Sequence, residues 1–182
     1  MGLDRNGDGV LQYVMLEGEP GHQDSLLRTE HSVRTLTAAG VSMEKLSNHA
    51  ADWQRGPAKI RMQRWLEELG DAIEVVFANN DDMALGAIDA CVDAGMEPAE
   101  MPFIVGVDAT APALRAVEEG TLRGTVLNDA AGQAEDILAL SCALAQGEDP
   151  GAAVELEDEK YCWRQHTAVT RENLAEFLPE AS

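Results

Sequence analysis

The chain has 182 residues, 45% of them hydrophobic, and a formal net charge of −20 from 33 acidic and 13 basic side chains. That length suits one domain, or one domain with an appendage. The charge excludes the basic footprint that nucleic-acid binding needs and argues against docking onto anionic lipid.

Most of the acidic surplus reads as a solvated surface that aids solubility. The sequence contains no run of about twenty apolar residues of the kind a membrane-spanning helix requires. Three cysteines, Cys91, Cys142 and Cys162, lack metal-type spacing. Cys91 and Cys142 lie among apolar helical residues and are expected to be buried thiols.

The first element in chain order is a loop, Asp4-Arg5-Asn6-Gly7-Asp8-Gly9-Val10-Leu11-Gln12. It places oxygen donors at alternate positions around a glycine bend, matching positions 1, 3, 5 and 6 of the calcium-loop pattern D-x-[DN]-x-[DN]-G-x₅-E. Val10 offers a backbone carbonyl at position 7, and Gln12 an amide oxygen at position 9. Position 12, which should be a bidentate Glu, is Met15. The last carboxylate must therefore come from elsewhere. An Asx-rich turn without metal is the competing reading.

After the loop, strands and helices alternate. Tyr13 to Leu16 reads as a short strand, with Gly18-Glu19-Pro20-Gly21 as a turn behind it. An amphipathic helix follows from about Asp24 to Ala39, then a weaker strand from Met43 to His49. A helix from about Gly56 to Leu69 stops at Gly70. Ile73 to Ala78 is a buried strand, followed by the polar run Asn79-Asn80-Asp81-Asp82 and a helix from Met83 to Ala94. Phe103 to Val107 is a fourth strand, Asp108 to Glu119 is largely helical, and Gly124 to Leu127 is a fifth strand. This alternation predicts right-handed βαβ units and an α/β fold with a doubly wound, mostly parallel five- to six-stranded sheet and helices on both faces.

In such sheets ligands bind outside the carboxyl ends of the strands. Those ends carry His22, Asp24 and Arg28 after the first strand and Trp53 after the second. Asn80 and Asp81 follow the third, Asp108 the fourth, and Asn128 and Asp129 the fifth. Amides, carboxylates, a guanidinium, an imidazole and an indole on one edge suit a polyhydroxyl ligand. Singly, Asn80, Asp81, Asp108 and Asp129 read as helix caps. Trp53 alone reads as core, and His22 as a surface or capping residue. Only their joint placement points to a site.

These residues resemble the second lobe of the periplasmic galactose/glucose-binding proteins, receptors of sugar ABC transporters and of chemotaxis. The resemblance is carried by Asp4 to Gln12, Gly18-Glu19-Pro20-Gly21-His22, Ala78-Asn79-Asn80-Asp81, Gly106-Val107-Asp108 and Gly124-Thr125-Val126-Leu127-Asn128-Asp129. Asn173-Leu174-Ala175-Glu176-Phe177 agrees as well. It implies calcium ligands at Asp4, Asn6, Asp8, the Val10 carbonyl, Gln12 and Glu74, the last supplying the missing bidentate carboxylate. It implies hexose ligands at His22, Asp24, Arg28, Asn80, Asp108 and Asn128, with Trp53 stacking on one face of the pyranose. The ABC transporter's membrane subunits would be the partners of the whole receptor. A periplasmic or extracellular location follows, as a lipoprotein in a Gram-positive source.

The same resemblance implies that the sugar site is a cleft between two lobes. Residues 1–129 then form the calcium- and sugar-binding lobe, 130–166 belong to a first lobe that is otherwise missing, and 167–182 return to the second. A helix in 130–146 would carry an apolar stripe of Ala134, Ile137, Leu138, Cys142 and Ala145, free to pair with another copy, fold back or remain disordered. No nucleophile and base pair recognisably, so catalysis is not expected. Two other readings stand beside a sugar receptor: a calcium-stabilised structural or assembly module, and the effector domain of a sugar-responsive regulator. The absence of a basic helix-turn-helix segment and the calcium loop count against the last.

Overall fold

The protein is described by a computed structural model, which covers residues 2–178. The described residues divide into two compact units, 2–126 with 168–178, and 127–167.

The first unit is built on a sheet of strands β1 (Leu11–Glu17), β2 (Met43–Ala50), β3 (Val75–Ala78), β4 (Phe103–Val105), β5 (Gly124–Leu127) and β6 (Thr167–Thr170). Their order is β2-β1-β3-β4-β5-β6, and the pairs β1–β2, β1–β3, β3–β4 and β4–β5 are parallel. The helices between them are α1 (Gln23–Ala38), α2 (Arg55–Leu69), α3 (Asp81–Asp93) and α4 (Ala111–Glu119). The step from β1 to β2 runs one way along the sheet, and the three later steps run the other way. Right-handed crossovers therefore place α1 on one face and α2, α3 and α4 on the opposite face. The doubly wound reading holds, and the order reverses between β1 and β3.

Alternation along the strands supplies both faces of the core. Tyr13, Met15, Val75 and Phe77 form a buried cluster under Val33 and Leu36 of α1. Val14, Leu16, Val76 and Ile104 are fully buried and point the other way. The buried sides of α2 (Ala58, Met62, Trp65) and α3 (Met83, Ala84, Ala87, Cys91) serve that second face. Trp65 also donates its indole N–H to the Ser47 hydroxyl at 2.9 Å, satisfying the one polar atom that its burial brings inside.

Several predicted boundaries move. β1 extends to Leu11 and Glu17, because the loop's last residues already pair with β2. Ile73 is not strand: a 3₁₀ turn over Gly70–Ala72 ends there, so Glu74 precedes β3. The fourth strand stops at Val105 instead of Val107. Asp108 lies outside a helix, since α4 is capped by Thr110, whose hydroxyl accepts the Ala113 N–H.

The second unit contains α5 (Ala130–Gln146) and the short α6 (Pro150–Ala153). Asp129 caps α5 through the Gly132 N–H at 2.9 Å. Arg164 grips Asp136 in a bidentate pair at 2.6 Å for both contacts and reaches Asp129 at 3.6 Å. Tyr161 and Trp163 stack with ring centroids 5.7 Å apart. The expected stripe of α5 is exposed along its whole length, and the helix is formed. Cys142 belongs to that stripe and is exposed, contrary to the expectation of a buried thiol. The face of α5 that is buried carries Gly132 and Ala143. Cys91 is buried as expected, and desolvation pushes its thiol up to about 11.

Candidate functional site

The edge formed by the carboxyl ends of β1, β3 and β4 gathers six of the predicted sugar-site residues. His22 is the N-cap of α1, its Nδ1 accepting the Asp24 N–H at 3.1 Å. Its ring meets Trp53 edge to face, with centroids 5.2 Å apart and planes at 77°. Arg28, one and a half turns further along α1, lays its guanidinium carbon 5.7 Å from the Trp53 ring centre. The same guanidinium reaches Asp24 at 3.3 Å and Asp108 at 3.6 Å, and donates to the Asn79 carbonyl at 2.8 Å. Asn80 caps α3 through the Met83 N–H and donates its amide to the Trp53 carbonyl at 3.2 Å. His22 and Asp24 are exposed, while Arg28, Trp53, Asn80 and Asp108 are half-buried.

Trp53 owes its place to its backbone and to a glycine. Asp52 and Trp53 both have positive φ, 51° and 66°, a left-handed turn that swings the indole back over the end of β1. There it lies flat on Gly18, where any Cβ would collide with the ring. Asn128, the seventh residue, belongs to the second unit, where its side-chain oxygen accepts from Gln133 at 2.8 Å.

Two more residues shape this edge: Asn79, read from sequence as part of a polar run, and Asp81, read as a strand-end group or, singly, as a cap. Asn79 is buried at 2% exposure and accepts from the Gly18 N–H at 3.0 Å and from the Ser25 and Thr29 hydroxyls at 3.2 Å each. It ties β1 and α1 to β3. Asp81 is fully buried and is no cap: it is the first residue of α3 and accepts the Thr110 N–H and the Thr125 hydroxyl. Burial raises its carboxyl to about 6, against the lowering effect of those two hydrogen bonds.

The oxygen-rich loop lies at the other end of the same strands. Asp4 accepts the Gly7 and Gly9 N–H groups at 2.6 and 2.9 Å. Asn6 accepts the Asp8 N–H, and Asp8 the Val10 N–H, each at 2.8 Å. The Val10 N–H holds the Asp8 carboxyl below its ordinary value, with Gln12 and Asn6 adding to the effect against desolvation. Gln12 donates to Asp8 at 2.9 Å and accepts from Asn6 at 3.2 Å. Glu74, 2% exposed, turns its carboxylate into this loop and accepts the backbone N–H groups of Arg5, Asn6 and Gln12. The expected ligands offer oxygen, as hard cations require, while the Asn6 and Gln12 side-chain nitrogens turn to Asp8 here. A buried carboxylate aimed into such a loop fits calcium. Among the described residues, no three of His, Cys, Asp and Glu converge as a metal-holding cluster, and the set draws half its members from amide and backbone oxygens.

Comparison with known proteins places this chain in a family. Residues 2–149 match the periplasmic binding protein domain. The chain belongs to the periplasmic binding protein family. Its relatives include the D-galactose/methyl-galactoside binding periplasmic protein MglB of Haemophilus influenzae, 40% identical over 97% of this chain and 53% of the relative. A xylitol-binding protein of Mycolicibacterium smegmatis is 34% identical over 82% of this chain and 41% of its own length. Among solved structures, an ABC transporter solute binding protein from Bacillus halodurans C-125 with bound myo-inositol superposes with a TM-score of 0.80. It is 30% identical and covers 96% of this chain and 56% of that one. The chain thus spans about half the length of the curated relatives it matches. The periplasmic binding protein family consists of solute-binding proteins and not enzymes.

Proposed function

We propose that this chain is the second lobe of a sugar receptor for ABC transport and chemotaxis, binding a hexose such as galactose or glucose at the His22–Trp53–Arg28 edge. The observation that carries the reading is the joint placement of one indole face and charged hydrogen-bonding groups. Trp53 offers an apolar surface to the C–H face of a pyranose, while Arg28, Asp24, Asp108 and Asn80 surround it with paired donors and acceptors. Charge-assisted hydrogen bonds of this kind suit vicinal hydroxyls. Galactose binding by a relative that is 40% identical supports the choice of sugar.

Asp4, Asn6, Asp8, the Val10 carbonyl, Gln12 and Glu74 would hold a structural calcium ion, whose charge would neutralise the acids of the loop. The separate compact unit over residues 127–167 supports the assignment of 130–166 to a first lobe. The exposed Ile137, Leu138 and Leu144 of α5 would then meet that lobe, or a second copy of this chain. In the whole receptor, in the periplasm or outside the cell, closure of two lobes would signal occupancy to the transporter's membrane subunits.

A thermal melt tests the proposal with calcium, with chelator, and with calcium plus concentrated galactose or glucose. A ligand that binds only the native state raises the midpoint. Stabilisation by calcium and further by sugar supports both sites. Stabilisation by calcium alone leaves a structural module, and no calcium effect removes the loop assignment.

A further inference from the structure

We propose that Asp81 and Thr125 are positioning residues that hold Asp108 in its site conformation, and so set sugar affinity without touching the ligand. This rests on the sugar-binding reading of the His22–Trp53–Arg28 edge. Asp108 and Ala109 are consecutive non-glycine residues with positive φ, 123° and 56°. Backbone of that kind persists only where its surroundings over-determine it.

Here three successive N–H groups are each tied to a separate acceptor. Asp108 donates to the Val126 carbonyl at 2.8 Å, Ala109 to the Thr125 hydroxyl at 3.2 Å, and Thr110 to Asp81 Oδ2 at 2.8 Å. The two side-chain acceptors are themselves joined, Thr125 donating to Asp81 Oδ1 at 2.6 Å. Both are almost wholly buried, at 3% and 0% exposure. Asp81 is anchored in turn, its N–H donating to the Val107 carbonyl at 2.8 Å. Gly106 leaves room for it, since a Cβ there would strike Asp81 Oδ1. The strut therefore runs from α3 and β5 into the turn that aims Asp108 at Arg28. Neither residue is needed there as a cap, because Asn80 caps α3 and Thr110 caps α4.

The test titrates galactose into the calcium-loaded chain and reads the Trp53 indole N–H by NMR. The proteins compared are wild type, Thr125→Val, Thr125→Ser, Asp108→Asn and the Thr125→Val/Asp108→Asn double variant. The Asp108 and Ala109 amides are recorded first without sugar. Thr125→Val, nearly isosteric, is expected to displace those amides and weaken galactose roughly tenfold, the worth of one hydrogen bond. Thr125→Ser is expected to restore both. The double variant should bind no worse than the weaker single variant, because coupled residues are not additive. Undisturbed affinity in Thr125→Val alongside loss in Asp108→Asn would overturn the inference and keep the sugar site. Additive losses would overturn it too, since Thr125 would then act apart from Asp108. Should galactose leave Trp53 unmoved in wild type, the sugar reading falls. The sugar-free amides then decide whether Thr125 holds the turn.

Discussion

Gln12 and Glu74 exchange two hydrogen bonds across the sheet. The Glu74 N–H donates to the Gln12 carbonyl at 3.0 Å, and the Gln12 N–H donates to the Glu74 carboxylate at 3.1 Å. One residue thus serves β1 by backbone and the preceding loop by side chain. Glu74→Ala leaves three loop N–H groups without their acceptor and is expected to cost about 2–4 kcal/mol. It should also abolish any stabilisation by calcium, which paired denaturant melts with calcium and with chelator would measure. An undiminished calcium effect would remove Glu74 from the ligand set.

The Trp53 platform can be disturbed without touching the indole. Gly18→Ala forces the ring off the end of β1. It is expected to weaken galactose about as much as Trp53→Ala, roughly tenfold or more. Titration of both variants checks this, and retention of affinity in Gly18→Ala would mean that ring placement is immaterial.

Asp81 gives the stability a definite pH signature. Its folded value of about 6 lies above the ordinary 3.8, chiefly through burial. A raised carboxyl takes up its proton earlier in the folded state than in the unfolded one. Its contribution is therefore full below the unfolded value and is lost as pH rises through about 6. Wild type should gain about 1–3 kcal/mol relative to Asp81→Asn as pH falls from 7 to 4. Urea melts of the two proteins across that range provide the difference, and a flat difference would contradict it.

Ile137 and Leu138 are 64% and 66% exposed on α5. Replacing both with Asp should leave stability within about 0.5 kcal/mol per site. If this stripe pairs copies of the chain, the change should shift sedimentation toward monomer. Unchanged sedimentation of an associating protein would place the interface elsewhere.

The strand and helix alternation was readable from periodicity, and so was the sheet edge that carries polar groups. Glu74 became a loop partner only through the resemblance, because its side chain crosses 62 residues of sequence to reach Gln12. Asp81 was misread as a cap since local sequence shows only an acid before a helix. Its partners Thr110 and Thr125 lie in the α4 turn and on β5, which sequence spacing does not bring together. Cys142 failed for a related reason: apolar neighbours along a helix fix a stripe, but what covers that stripe is a matter of tertiary structure.

The oxygen loop enters β1 at Leu11 and the indole platform sits beyond Glu17, so seven residues, roughly 20 Å of strand, separate them. The proposed calcium clasp and the proposed sugar platform would thus stand at opposite ends of one rod. On that reading, substitutions at the exit end alter which polyol is held without loosening the entry end, and the lobe changes its ligand without relearning how to fold.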